Sequence, residues 1–217
     1  MIHIVIDLEM NPVSKNLKDV RRYLLDEVIE FGAVKLDENY LPIDEFQCYV
    51  KPEFGEINKH ITKLTGITNE LVADKENFVV EFKKFFDWIG TWDMTLYSWS
   101  PSDINQLKAE CAYKFTEFDA ERMSQQWIDI QKEFDDKIGL HSNLALKHAI
   151  GAMDRNFEGT QHTALADAAN TAAILTLMQD DDAFQKTMQP VIDLLKPKNI
   201  SNSIGDLFPE LMNFKFD

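Results

Sequence analysis

The sequence predicts an α/β fold in which a mixed β-sheet is covered by helices on both faces. Short apolar runs with strand-like alternation fill the first quarter of the chain and then interleave with segments of helical spacing. The 217 residues with 45% hydrophobic content are enough to bury one sizeable core. No internal repeat, low-complexity tract or Gly/Ser linker divides the chain.

The first strand is the apolar run Ile2 to Ile6, which stops at Asp7. A polar segment from Asn11 to Asp26 holds Lys15, Lys18, Arg21 and Arg22. Two β-patterned runs, Val28 to Leu36 and Phe46 to Lys51, are joined by Asp37-Glu38-Asn39 and predict a hairpin beside the first strand. Helical patterning begins at Asn58, with a short helix to Leu64, a Thr65-Gly66 stop and a second start near Thr68. A longer helix from Phe78 to Ile89 places Phe82, Phe85, Phe86 and Ile89 at helical spacing. Met94 to Trp99 reads as a buried strand, Ile104 to Phe115 as an amphipathic helix opened by Pro101-Ser102-Asp103, and Trp127 to Ile130 as a fifth short strand. Helices follow around Asn143 to Ala149 and from Thr163 to Met178.

The expected domain is 1–180. Residues 181–217 form an extension with one more helix, Ala183 to Leu195, then Lys196-Pro197-Lys198 and a tail. Leu207, Phe208, Leu211 and Phe214 of that tail are expected to dock on the domain, a partner surface being the alternative.

The formal net charge of −15, from 37 acids against 22 Lys and Arg, argues against broad, non-specific attraction to phosphate backbones. A phosphate-bearing substrate is then compatible only if some acids bind divalent cations and contact is local. Cys48 and Cys111 belong to no C-x-x-C pair or Cys/His cluster and are expected as buried thiols in a reducing compartment. The opening apolar run is too brief for a signal segment and lacks a basic flank. No stretch approaches the roughly 18 apolar residues of a membrane span, so the expected location is the cytoplasm, without a membrane partner.

Three acidic elements are candidates for chemistry. Asp7 and Glu9 flank Leu8 at the end of an apolar strand, and period two puts both carboxylates on one face. Adjacent acids repel unless a cation such as Mg²⁺ or Mn²⁺ neutralises them, although a lone Asp-x-Glu is also an ordinary strand end facing water. Asp167 lies about one turn into a helix of small residues, where the helix dipole favours a carboxylate, and His162 precedes that helix; a capping histidine and a solvated aspartate are the plain alternative. Asp103 follows a buried strand at a helix start, where an N-cap is the competing role.

Together these elements resemble the DEDDh exonuclease family of the ribonuclease H-like superfamily. Asp7-Leu8-Glu9 matches the first motif, Trp99 to Asp103 with Leu107 the second, and His162 with Asp167, Ala168 and Asn170-Thr171-Ala172 the third. Glu27 to Val34, Tyr49-Val50-Lys51-Pro52 and Leu64-Thr65-Gly66-Ile67-Thr68 are similar to the family's ERI-1-like and KapD-like branch, and the likeness runs from Ile2 to Leu177.

The resemblance implies a central five-stranded mixed sheet with its second strand antiparallel, and carboxylates converging on two divalent cations, Mg²⁺ or Mn²⁺. Asp7 would bridge the two, Glu9 and Asp167 would hold the one that activates water, and Asp103 would support the second. Two metals about 4 Å apart serve both ends of an in-line phosphodiester displacement. His162 would be the general base, its ordinary pKa lying close to neutral pH. The implied partner is the 3′ end of single-stranded RNA or DNA.

Leu8, Met10 and Leu64 would pack on the terminal nucleotide or serve the core. Met10 and Asn11 depart from the Thr often found after the first motif, which removes that side chain's bond to a terminal 3′-hydroxyl. Lys15, Lys18, Arg21 and Arg22 would receive upstream phosphates or merely balance charge. Family members of this size often pair as dimers, which makes a homodimer a further expectation to test. Two other functions compete: a regulatory or binding protein that keeps the fold, and a proofreading subunit that needs a polymerase.

Overall fold

The computed structural model describes residues 1–114 and 120–195. Within them, β1 (Ile2–Pro12), β2 (Asp26–Leu36), β3 (Pro42–Tyr49), β4 (Met94–Ser98) and β5 (Trp127–Asp129) form one sheet in the order β3-β2-β1-β4-β5. β2 is antiparallel to β1 and β3, whereas β1, β4 and β5 run parallel. This is the five-stranded mixed sheet with an antiparallel second strand that the family resemblance implies.

Period two divides β1 between two cores. Ile4, Ile6 and Leu8 point to one face with Phe31 and Ala33 of β2, under α3 (Phe78–Ile89) and α4 (Ser102–Lys114). Phe78, Phe82 and Phe85 of α3 meet Phe31 with ring centroids 5.4 to 6.3 Å apart. Val5 points to the other face with Val34 and Leu36, beneath α6 (Ile130–Ile138), α7 (Leu146–Ala152) and α8 (Ala164–Met178). α9 (Asp181–Leu195) closes that core with Phe184 and Met188, both buried. Two short helices, α1 (Lys59–Thr65) and α2 (Asn69–Val72), cover a smaller cluster around Ile29, Ile57, Ile67 and Val72, and a third, α5 (Ala120–Ser124), leads into β5. No helix of the described residues is long and apolar enough to cross a membrane.

The helix boundaries follow local chemistry. Asn58 and Asn77 cap α1 and α3 by accepting the amides of His60 and Val80, and Gly66 and Gly90 end those helices in left-handed conformations.

Four expectations need correction. β3 begins at Pro42 rather than Phe46 and ends at Tyr49; its first residues are exposed on the sheet edge and carry no apolar pattern. α6 was not predicted, because Ile130, Phe134 and Ile138 recur one turn apart directly behind the strand-like run Trp127 to Ile130; Asp129 caps it through the Lys132 amide. The helix expected around Asn143 starts at Leu146. Cys48 is half-buried while Cys111 is buried, and neither is in a disulfide. Phe115 and the tail residues Leu207, Phe208, Leu211 and Phe214 lie outside the described residues.

Candidate active site

On the α8 face of β1 the apolar run changes character after Val5, because the next two side chains there are Asp7 and Glu9. Their partners across the antiparallel ladder are Gly32 and Glu30. A Cβ on Gly32 would stand 2.1 Å from the backbone of Ala164 and Leu165, so only glycine lets the first turn of α8 rest directly on β2. Beside it, Glu30 accepts the Ala164 N–H at 3.2 Å. The helix therefore starts against the two acids of β1, and Asp167 in its first turn is delivered to them.

Glu9, His162 and Asp167 each offer a ligand atom, and these atoms all lie within 4.8 Å of one another. His162 reaches this position from outside the helix, exposed, with φ at 62°, a left-handed conformation that a non-glycine residue holds at a cost. The plain alternative for Asp167, a solvated aspartate, is excluded: it is only partly exposed and its Oδ1 is buried with no hydrogen-bond partner.

Asp103 is not an N-cap. It sits inside the first turn of α4, 4% exposed, where Oδ1 accepts the Leu8 N–H at 3.0 Å and Oδ2 accepts the Ser102 hydroxyl at 3.3 Å. The parallel pairing of β1 with β4 stops at Val5 opposite Tyr97, and Asp103 takes up a backbone amide beyond that point.

The electrostatics are those of crowded acids. Burial, then Asp103, Asp167, Glu9 and Glu30, pushes the Asp7 carboxyl well above the usual range. Burial and the nearby Asp167 push Glu9 up to about 8. Burial also raises Asp103, against the hydrogen bond from Leu8, and raises Asp167 to about 6, against the pull of His162. Such a set fits a divalent cation: hard carboxylate oxygens, an imidazole and a buried oxygen of Asp167 still lacking a partner.

The other expected contacts are placed as follows. Leu8 is buried in the core beneath the acids, Met10 is half-buried against the same core, and Leu64 is exposed on α1. Lys15 and Lys18 are exposed; Arg21 donates to the Val13 carbonyl at 2.7 Å, and Arg22 lies 3.6 Å from Asp19. Glu30 and Gly32 were not singled out from the sequence. The available signal was an acid inside the apolar run Val28 to Val34, where a carboxylate needs a partner.

A family model described as Exonuclease (RNase_T) matches residues 4–175. Human 3′-5′ exoribonuclease 1 is 28% identical over 174 residues, 71% of this chain and 47% of that protein. Mouse ERI1 exoribonuclease 2 is 25% identical over 229 residues, 93% of this chain and 32% of that protein. The chain thus spans about half the length of these relatives, or less. Among solved structures, the nuclease domain of 3′hExo, a DEDDh family member bound to rAMP, matches with a TM-score of 0.70 at 27% identity, covering 82% of this chain and 92% of that one. Exonuclease I of E. coli in complex with a dA16 oligonucleotide shares the fold, with a TM-score of 0.65 at 17% identity over 89% of this chain and 42% of that one.

Proposed function

The chain belongs to the exonuclease (RNase_T) family, with the ribonuclease H-like fold of DEDDh exonuclease domains, and from that premise we propose that it removes nucleotides from the 3′ ends of single-stranded RNA or DNA. The observation that carries this reading is the meeting of Glu9, His162 and Asp167 within 4.8 Å, beside the acids Asp7 and Asp103.

Asp7, Glu9, Asp103 and Asp167 would hold two divalent cations, Mg²⁺ or Mn²⁺, which when bound supply positive charge to the attacking and leaving sides of an in-line displacement. His162 takes the proton from the attacking water as its oxygen bonds to phosphorus, and the bond from phosphorus to the 3′ oxygen of the upstream nucleotide breaks. His162 suits this role because it is exposed beside Glu9 and Asp167. Asp103, tied to Leu8, fixes the distance between the start of α4 and β1. Lys15, Lys18, Arg21 and Arg22 receive upstream phosphates, and Met10 and Leu64 border the terminal nucleotide; Leu8 supports them from the core.

The names of the relatives support RNA as a substrate, and the dA16-bound neighbour supports DNA. We assign the activity to residues 1–180 and the cytoplasm as its location, the latter on the strength of two thiols that form no disulfide. The test is to incubate the protein with Mg²⁺ or Mn²⁺ and 5′-labelled single-stranded RNA, with the matching DNA in parallel and Asp7→Ala as control. A ladder shrinking from the 3′ end in the wild type alone is the expected result. No cleavage of either strand with either metal would overturn the reading in favour of a binding or partner-dependent protein.

A further inference from the structure

We propose that Glu30, an acid outside the set of four carboxylates and one histidine, is a positioning residue: from β2 it caps α8 and thereby sets where Asp167 and His162 meet Glu9. This rests on the proposed exonuclease reading and deepens it.

The first amides of a helix need acceptors, and the residue before α8 is well suited to supply one. Thr163 does not: its side chain makes no cap, and its hydroxyl turns back to donate to the Thr160 carbonyl at 2.9 Å. Glu30 fills that role from another element, accepting the Ala164 N–H with Oε2 at 3.2 Å. A carboxylate at this end also complements the helix dipole. The other oxygen, Oε1, accepts the Gln47 side-chain amide at 2.6 Å, so the carboxylate is held from β3 as well. Glu30 is completely buried, which leaves it little freedom to relocate.

The location argues for a task beyond folding. Glu30 stands directly opposite Glu9, and like charges across a ladder are destabilising. The same element that bears this electrostatic penalty grips the turn carrying Asp167, three residues beyond Ala164, and His162, two residues before it. Gly32, on the same face of β2, admits the helix backbone, and Glu30 fixes its height. Without the Glu30 acceptor the first turn of α8 is free to fray, and both ligating side chains shift relative to Glu9.

The test uses the full chain as wild type, Glu30→Gln, Glu30→Ala and Glu30→Asp. Mn²⁺ alone is titrated by calorimetry, and kcat and KM are measured on 5′-labelled single-stranded RNA. Glu30→Ala is expected to weaken Mn²⁺ binding and lower kcat by about 10- to 100-fold, as loss of a residue that orients metal ligands does, while KM for RNA stays within about twofold. Glu30→Gln keeps an oxygen for Ala164, and a flipped Gln47 amide can meet its NH₂, so it should stay within about threefold of wild type in both. Glu30→Asp keeps the charge but shortens the reach; it should lose Mn²⁺ affinity and decides the matter if Glu30→Ala does not fold. Wild-type Mn²⁺ affinity in folded Glu30→Ala or Glu30→Asp overturns the proposal. So does a Glu30→Gln protein as impaired as Glu30→Ala, because charge rather than position would then be the cause. Should the wild type bind Mn²⁺ yet cleave nothing, the exonuclease reading fails while the Mn²⁺ comparison still decides the role of Glu30.

Discussion

Asp103 accepts the backbone N–H of Leu8 at 3.0 Å across 95 positions of sequence. One carboxylate therefore satisfies a buried amide of β1 and contributes charge to the site. Asp103→Asn keeps an acceptor for Leu8 and removes the charge. Its nuclease rate should fall by about 100-fold or more, the scale of losing a preorganised electrostatic contact. Its melting temperature in metal-free buffer should hold or rise, because the crowding on Asp7 is relieved. Asp103→Ala strands the Leu8 amide, offsetting that relief by about 1–3 kcal/mol in urea unfolding. Equal stabilities for the two variants would separate Asp103 from Leu8.

Stability should depend on pH and metal together. The Glu9 carboxyl is raised from 4.5 to about 8 and Asp167 from 3.8 to about 6, so between those values the folded metal-free chain binds more protons than the unfolded one. Unfolding free energy then falls as pH rises from about 4 to about 8. Mg²⁺ or Mn²⁺ neutralises the same acids and should raise the melting temperature more at pH 8 than at pH 5. A shift independent of pH would contradict the crowding of these groups.

Gly32→Ala should be among the most damaging single-methyl changes in the chain. Its Cβ would meet the backbone of Ala164 and Leu165 at 2.1 Å, and backbone cannot swing aside as a side chain can. We expect a loss of about 3 kcal/mol or more by denaturant unfolding, or displacement of α8 with loss of Mn²⁺ binding. A stable, active Gly32→Ala protein would refute the close approach of helix and strand.

Replacing Lys15, Lys18, Arg21 and Arg22 together by Ala should raise KM for oligonucleotides and flatten its salt dependence, by about 0.7 in log–log slope for each phosphate that is no longer neutralised. Unchanged KM and slope would reduce these residues to charge balance.

Lys114 Nζ lies 3.1 Å from Glu27, 2.8 Å from Glu53 and 2.8 Å from Glu110; Glu27 and Glu110 are buried and the Lys114 side chain is 6% exposed. Glu110 in turn accepts the Val28 N–H at 2.9 Å, which joins α4 to β2. Lys114→Met leaves two buried acids uncompensated and should cost about 3–5 kcal/mol. Lys114→Met with Glu110→Gln should recover part of that loss.

Where the sequence was legible, a single strong pattern governed each element. Ile2 to Ile6 ending at Asp7 and Glu9, the phenylalanines of α3 and the small residues of α8 each have one physical interpretation once burial is required. Legibility failed where two patterns overlapped: Ile130 closes the strand-like run of β5 and also opens α6. It failed again at Pro42 to Glu45, because an edge strand exposed to water needs no apolar code. Within the site, residue type left each acid with an ordinary alternative, and the proposed ligands stood out only through the family resemblance of their motifs; Glu30 did not stand out at all. Its role depends on an amide 134 positions away, left without a local cap because the Thr163 hydroxyl turns to Thr160.

The family match ends at residue 175, yet Phe184 of α9 meets Phe134 of α6 edge to face, with centroids 5.8 Å apart, and Met188 is wholly enclosed. The family model and physical closure thus mark different boundaries on this chain. A protein shortened at residue 180 would keep every inherited motif and still expose the rings and methyls that α9 shields, behind the helix that carries Asp167. For anyone trimming this protein for crystals or assays, the thermodynamic cut lies beyond Ile192, which still packs against that core.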